Sequence, residues 1–558
     1  MKSESSALRD FTVDSRVWLL CGFALIIGAG ASLSAVLLLR MIAISTNLFY
    51  YHRFSAESVS PAGSSLGQWM IFVPVVGGLI VGVMARFGSD KIRGHGIPEA
   101  IEAILLNRAR VGLRVAILKP ISAAIAIGSG GPFGAEGPII MTGGAFGSLI
   151  AQWIRLTDAE RTTLLVAGAA AGMSATFATP VAAILLAVEL LLFEWRPRSL
   201  VPVAVASATA GILRVYLLGS GPLFEMPIVG AMHRVTFAIG AALLGAFVGL
   251  IAAGMSRMMY FFEDTFERLP VHWMWWPAIG GLGIGVGGLF FPRGLGVGYD
   301  NIADLLHGNA PLRLIAGILI AKSLMWAFSL GSGTSGGVLA PLLMIGGAVG
   351  ALAGHLAHGS LESQAFWALI GMGSMLAGSL GVPLTAILFS LEVTHNLPAL
   401  LPLTMGCISA YLVTALLMPR SILTEKLSRR GYHLTREYGV DPLELVIVGQ
   451  LIEPGRVLET SPLPEHAKER PALPEIFTYA DATCRGAAEL MATEGVDSLP
   501  VVDRATHRVR GTITLQDLLR GRSRAVVREN ERLRLFTRSN GNSSNGDRPD
   551  GNGEGTTR

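Results

Sequence analysis

Residues Gly128–Gly147 read GSGGPFGAEGPIIMTGGAFG, and residues Gly331–Gly350 read GSGTSGGVLAPLLMIGGAVG. The second stretch begins 203 positions after the first. The same interval relates Lys119 to Lys322, Pro138 to Pro341, Met141 to Met344, Pro180 to Pro383 and Glu189 to Glu392. It also aligns ATPVAAILLAVEL (178–190) with GVPLTAILFSLEV (381–393) without a gap. Gly and Ala could coincide by composition. Lys, Met, Pro and Glu in register could not, so the chain carries an internal repeat. Each copy follows a different number of predicted membrane spans, so inverted topology is the expectation.

Composition sets the medium. Of 558 residues only 15% are charged, where roughly 25% is usual. The AVILMFWYC set makes up 51%, and 68 residues are Gly. This excludes an ordinary soluble enzyme and a disordered chain, and indicates a polytopic helical membrane protein. Val17–Leu39 is an uncharged run long enough to span a bilayer, and lacks the layout of a cleaved signal. Trp69–Ala85, Val235–Met255, Met274–Phe291 and Leu403–Met418 are further clean runs. Between them lie apolar stretches broken by Gly and Pro, such as Pro138–Ile154 and Pro341–Ala357. Broken helices persist in lipid only where their ends are buried in protein or line a wet cavity, and there they mark transport sites. Lys/Arg-rich loops at Arg86–Arg93, Arg108–Arg114 and Arg420–Arg430 are expected on the cytoplasmic side, with the C-terminal tail. Cys21, Cys407 and Cys484 are scattered, so no disulfide framework or metal cluster is expected. The net charge of +4 forms no nucleic-acid stripe.

Three loops share one design, Gly residues followed by Pro at the start of an apolar helix: GHGIPEA (94–100), GAEGPII (134–140) and GGVLAP (336–341). Pro suits the first helical turn, and Gly lets the backbone approach a ligand. A helix N-terminus offers free N–H groups and partial positive charge, so several converging ends make an anion site without a full cation. Conduction favours such weak, multiple contacts. Glu136 stands at one of these helix mouths. Ionised, it would occupy the anion site itself, and protonation would release it. An intramembrane carboxylate is costly and functional by default.

Together these residues resemble the CLC family of chloride channels and chloride/proton antiporters, from about Val17 to Leu427. GAEGP resembles the family's GREGP-type gate motif, with Glu136 at the gating glutamate. GGVLAP resembles GxFxP, and GHGIPE resembles GSGIP. The resemblance implies anion contacts at His95, Gly96, Ile97, Ala135, Gly137, Val338, Leu339, Ala340 and Leu423. It also implies an all-α membrane domain of two inverted repeats of broken and tilted helices, and a homodimer with one pore per subunit.

The departures are specific. His95 replaces the usual serine at the central anion, and either faces the ion or has a structural role. Leu423 stands at the pore-lining tyrosine and cannot donate a hydroxyl proton. Ala135 replaces the Arg beside the gating glutamate. Leu190 takes the position of the internal proton-transfer glutamate, with Glu194 as a candidate substitute. Glu189 and Glu392 read as structural or helix-end residues. Lys119 and Lys322 read either as positive potential near the pathway or as snorkelling or paired charges.

After about Arg420 charges become frequent. Asp481–Leu519 resembles a CBS module, with Thr514 and Asp517 at positions that meet ribose in nucleotide-binding members; a structural or dimerising role is the simpler reading. The expected organisation is a cytosolic N-terminus (1–15) and a transmembrane domain (16–430, halves about 16–217 and 232–418). A linker or degenerate CBS segment (431–475), a small α/β CBS-like cytosolic domain (476–535) and a disordered tail (536–558) follow. The expected function is transport of chloride and similar small anions, as a chloride/proton antiporter gated by Glu136. A channel without proton coupling is the alternative. Fluoride export, a nucleotide sensor on a transporter scaffold, and an intramembrane hydrolase using Ser129, Ser332 or Ser335 with His95 as base are remote readings. The expected partners are protons, small anions, membrane lipid and a second copy of the chain, in a bacterial inner membrane. No enzyme activity, metal or nucleic acid is expected. The one candidate cofactor is an adenine nucleotide at the CBS-like domain.

Overall fold

The computed structural model describes residues 15–105, 107–192, 194–227, 235–357, 361–429, 443, 446–452 and 476–523. The chain divides into two units, Phe11–Arg436 and a C-terminal unit from Glu437.

The first unit is helical throughout. Its first half comprises α1 (Arg16–Tyr51), α2 (Phe72–Phe87), α3 (Ile97–Leu105), α4 (Leu113–Gly128), α5 (Glu136–Gln152), α6 (Asp158–Phe177), α7 (Pro180–Leu186) and α8 (Pro197–Leu218). Its second half comprises α9 (Val235–Glu267), α10 (Trp276–Phe290), α11 (Tyr299–Leu306), α12 (Leu312–Gly317), α13 (Ser323–Gly331), α14 (Leu339–Leu356), α15 (Leu361–Leu380), α16 (Pro383–Thr394) and α17 (Leu400–Leu417), with a short α18 (Glu425–Arg429) after it. Among the described residues seven helical segments are long and apolar enough to cross a membrane. The chain is a multi-pass membrane protein.

Helix boundaries repeat with the sequence interval. The helices α5, α6, α7 and α8 begin 203 residues before α14, α15, α16 and α17. The packing repeats too. A Cβ built on Gly78 of α2 would lie 2.2 Å from the Pro277 carbonyl, and one on Gly281 of α10 would lie 2.3 Å from that of Pro74. Gly82 meets Met274 and Gly285 meets Ile71 in the same way. Contacts that exchange i with j define a two-fold axis. As α2 advances, its contacts on α10 run backwards, so the two helices are antiparallel and the axis lies across them. The halves are therefore inverted, as the repeat implies.

The runs read from the sequence leave out α6, α8, α15 and the segment of α12 and α13. Positions 163–177 of α6 are all buried, yet they are mostly Ala, Gly and Thr with few large apolar side chains. Small residues let backbones approach closely in the centre of a membrane bundle, at the expense of a strong hydropathy signal. Its repeat partner α15 keeps small residues at Ala368, Gly371, Gly373, Ala377 and Gly378 among larger apolar side chains. The start of α6 is set by a capping box between Thr157 and Glu160.

The C-terminal unit holds β1 (Thr478–Tyr479), α19 (Cys484–Glu494), β2 (Ser498–Val502), β3 (Val509–Thr514) and a last helix over 515–523. In its sheet β2 lies between β1, to which it is parallel, and β3, to which it is antiparallel. Val448, Cys484, Ala487, Met491, Leu499, Val501, Ile513 and Leu518 form its core. Most of the 431–475 segment and the tail after 523 lie outside the described residues.

Candidate functional site

The three Gly-containing loops meet. Gly94 bridges Ser335 and Gly134 bridges Gly337. In the second bridge Gly337 donates its N–H to the Gly134 carbonyl at 2.8 Å, and Gly134 donates back to Gly337 at 3.2 Å. Positions 134 and 337 are repeat equivalents, so the bridge sits on the two-fold axis. A Cβ on Gly137 would lie 1.8 Å from the His95 carbonyl oxygen, which no side chain tolerates. The starts of α3, α5 and α14 thus converge, and glycine is required where they touch.

Glu136 lies at this junction, fully buried in the first turn of α5. Its carboxylate lies against Gly134 and Gly337: a Cβ built on either would come within 1.6 Å and 2.9 Å of Oε2. Oε1 accepts a hydrogen bond from the Tyr299 hydroxyl at 3.3 Å, while Oε2 has no hydrogen-bond partner. The backbone of Ala340 and the ammonium of Lys322 also face the carboxylate. Ala135, Gly137, Val338, Leu339 and Ala340 are all buried around it.

Two cavities approach from opposite sides. One, of about 530 Å³, is lined by Gly94, His95, Glu99, Tyr260, Gly333 and Lys426. The other, of about 480 Å³, is lined by Gly296–Asp300, including Tyr299, and by Arg40 and Arg214. The Glu136–Gly137 step lies between them, touching His95 on one side and Tyr299 on the other.

His95 is 3% exposed, and its Nδ1 has no hydrogen-bond partner. Gly96 departs from expectation. Its N–H donates to Glu99 Oε2 at 2.8 Å and is not free for an ion, because Glu99 reaches back three residues as an N-terminal cap. Glu99 Oε1 in turn accepts from Lys426 Nζ at 2.8 Å. Ile97 and Leu423 are fully buried. The loop holding Leu423 is fixed by the Tyr260 hydroxyl, which donates to Ile422 O at 2.6 Å.

The repeat-related lysines are loop anchors. Lys119 Nζ donates to the carbonyls of Ile92 (2.8 Å) and Gly94 (2.7 Å), and Lys322 Nζ to those of Gly296 (3.0 Å) and Val297 (3.3 Å). Each ties down the loop ahead of α3 or α11. The serines proposed for hydrolysis are engaged elsewhere. Ser332 bonds to Ser329 O and Thr334, Ser335 to Ser122, and Ser129 to Ala126 O.

The family profile of voltage gated chloride channels matches residues 77–415, more than half of the chain. The chain belongs to this family. A CBS domain profile matches residues 471–524. The H(+)/Cl(−) exchange transporter ClcA of Citrobacter koseri is 31% identical over 363 residues, covering 62% of this chain and 75% of that protein. The chloride channel protein CLC-f of Arabidopsis thaliana is 30% identical over 370 residues, covering 61% of this chain and 46% of the relative. Among solved structures, a slow cyanobacterial Cl−/H+ antiporter superposes with a TM-score of 0.66 at 22% identity, over 75% of this chain and 99% of that one. That likeness speaks to the fold.

In this CLC family member Leu190 is buried in the π-helical turn over 187–192 that continues α7. Glu194, the proposed substitute proton carrier, does not face the pathway. Its carboxylate pairs with Arg196 and Arg198 and accepts from Ser199, because two arginines within one turn capture it locally. Glu189 accepts from the backbone N–H groups of Leu384 (3.2 Å) and Thr385 (2.8 Å) at the start of α16. Glu392 accepts from Val181 (3.0 Å) and Ala182 (2.8 Å) at the start of α7. Both are helix caps exchanged between halves.

The reading of the sequence missed Tyr299. Phe177 and Phe224 pack edge-on against its ring, at 6.5 Å and 5.9 Å between centroids. The available signal was the repeat: Gly298-Tyr299 stands opposite His95-Gly96, at the start of α11. That helix start lacks the proline that drew attention to the other three.

Proposed function

We propose that this protein exchanges chloride, or a similar small anion, for protons across a membrane, with Glu136 alternating between the anion position and a protonated, displaced state. The observation that carries this is the buried Glu136 carboxylate, Oε2 unpartnered, seated where three helix starts meet and two cavities end. Seated and ionised, it takes the place an anion would take. Protonated, it loses its attraction to the surrounding N–H groups and leaves that place to the ion. The names of the relatives support exchange over simple conduction. Leu190 removes the usual internal carboxylate, so the proton reaches Glu136 through the cavity lined by His95, by water and the imidazole.

Lys91, Arg93, Arg110, Lys426 and Arg429 line that cavity, which supports a cytoplasmic opening and an inner-membrane placement with the C-terminal unit inside. A homodimer with one pathway per subunit fits the family. The engaged serines and the unpartnered His95 Nδ1 support a transporter and not a hydrolase. In the CBS domain the Thr514 hydroxyl donates to Asp517 Oδ2 at 2.6 Å, and the two residues cap the last helix reciprocally. This favours a structural or dimerising role over nucleotide binding.

The test is flux in liposomes with voltage clamped at zero. A chloride gradient should drive protons uphill, and Glu136→Gln should abolish that coupling. Coupling unchanged in the variant would remove Glu136 from the mechanism. His95→Ser should alter anion selectivity or the pH response.

A further inference from the structure

The second cavity holds a feature that the exchange cycle leaves unused. Arg214 lies on α8, four residues before its end, and is 7% exposed. Its Nη1 donates to Gly219 O at 3.1 Å, and its Nε is buried with no hydrogen-bond partner. Among the described residues no carboxylate lies within salt-bridge distance of Arg214 or of Arg40, which lines the same cavity. Asp300, exposed, is the one acidic residue in the lining. A buried guanidinium without a counter-charge is expensive in a low-dielectric setting. The contact with Gly219 answers one of its five N–H groups. The same cavity is lined by Tyr299, whose hydroxyl touches Glu136.

We infer that Arg214, with the exposed Arg40 in the same lining, forms a docking site for a small monovalent anion in the outer cavity, one step before Glu136. Ala135 adds no charge of its own beside Glu136, and Arg214 supplies positive charge from the cavity wall. A charge placed there raises the local anion concentration without binding the ion at the constriction itself.

The inference rests on the exchange reading only for its flux readout. The full-length protein is reconstituted in oriented liposomes, and chloride is varied on one face at a time. Arg214→Gln should raise the KM for chloride on the Arg214 face about tenfold. The limiting rate and the KM on the His95 face should not change. Arg214→Lys, which keeps the charge, should stay near the parent. Added salt of a non-transported anion should shrink the difference. An unchanged KM on the Arg214 face, or equal changes on both faces, overturns the site. A parallel calorimetric titration with bromide in detergent needs no transport. Weakened bromide binding in Arg214→Gln supports the site, and unaltered binding overturns it. If the parent moves no chloride, the exchange reading is what fails, and the titration alone judges Arg214.

Discussion

Tyr299 is held by aromatic neighbours so that its hydroxyl meets the Glu136 carboxylate. A hydrogen bond to a charged group contributes about 1.5 kcal/mol, which corresponds to a factor of about ten in a rate. Tyr299→Phe should therefore let Glu136 leave its seat more readily and raise chloride turnover up to about tenfold, measured as initial efflux from liposomes. An unchanged rate would make the contact incidental. Gly137 is constrained differently. With the His95 carbonyl 1.8 Å from where its Cβ would be, Gly137→Ala must push α3 away from α5. Loss of both transport and thermal stability is expected, read from efflux and melting in detergent. At this scale the sequence was legible where chemistry and helix-start punctuation coincide, as at Glu136 and His95. It was silent on Tyr299 and Arg214, because one aromatic and one arginine near helix ends look ordinary until the fold turns them toward a cavity. Glu194 misled for the converse reason: spacing along the chain placed it well, and two adjacent arginines decided otherwise.

Short helices that end inside the protein need their terminal N–H groups answered. In α7 and α16 the answer comes from the opposite half, through Glu392 and Glu189. Replacing either glutamate by alanine should cost about 1–2 kcal/mol and lower the melting temperature of the purified protein by similar amounts for the two sites. A much larger effect at one site would show that the two caps are not equivalent. The repeat made these elements readable, since Pro180, Pro383, Glu189 and Glu392 keep the same interval in sequence and in space. The helix α6 was not readable, because an Ala- and Gly-rich segment in the centre of the bundle carries little hydropathy contrast.

The whole chain joins a membrane unit to a CBS-containing one with different sensitivities. In the C-terminal unit Asp503 accepts from the N–H groups of Ala505 and Thr506, both at 2.9 Å, and pairs with Arg510. The Thr506 and Ala505 donors and the Arg510 charge hold its carboxyl below the usual range. A carboxyl lowered on folding contributes stability above its unfolded value and loses it as pH falls through the folded one. Acidification below about pH 4 should thus weaken the calorimetric transition of the C-terminal unit, and Asp503→Asn should flatten that dependence. A transition that does not respond to acid would sink the assignment. Two-unit organisation was legible from the shift in composition after Arg420, and the sheet order was not, because three short strands leave their pairing to tertiary contacts.

The exchanged caps also describe a history. Each half presents a carboxylate to the other and receives one in the same place, which is the self-complementary geometry of two identical subunits meeting across a two-fold axis. A half-length ancestor would have closed as an antiparallel pair, each copy finishing the other's helix. Joined in one chain, the two copies are permanent partners that differ in what they present, Glu136 in one where the other has Leu339.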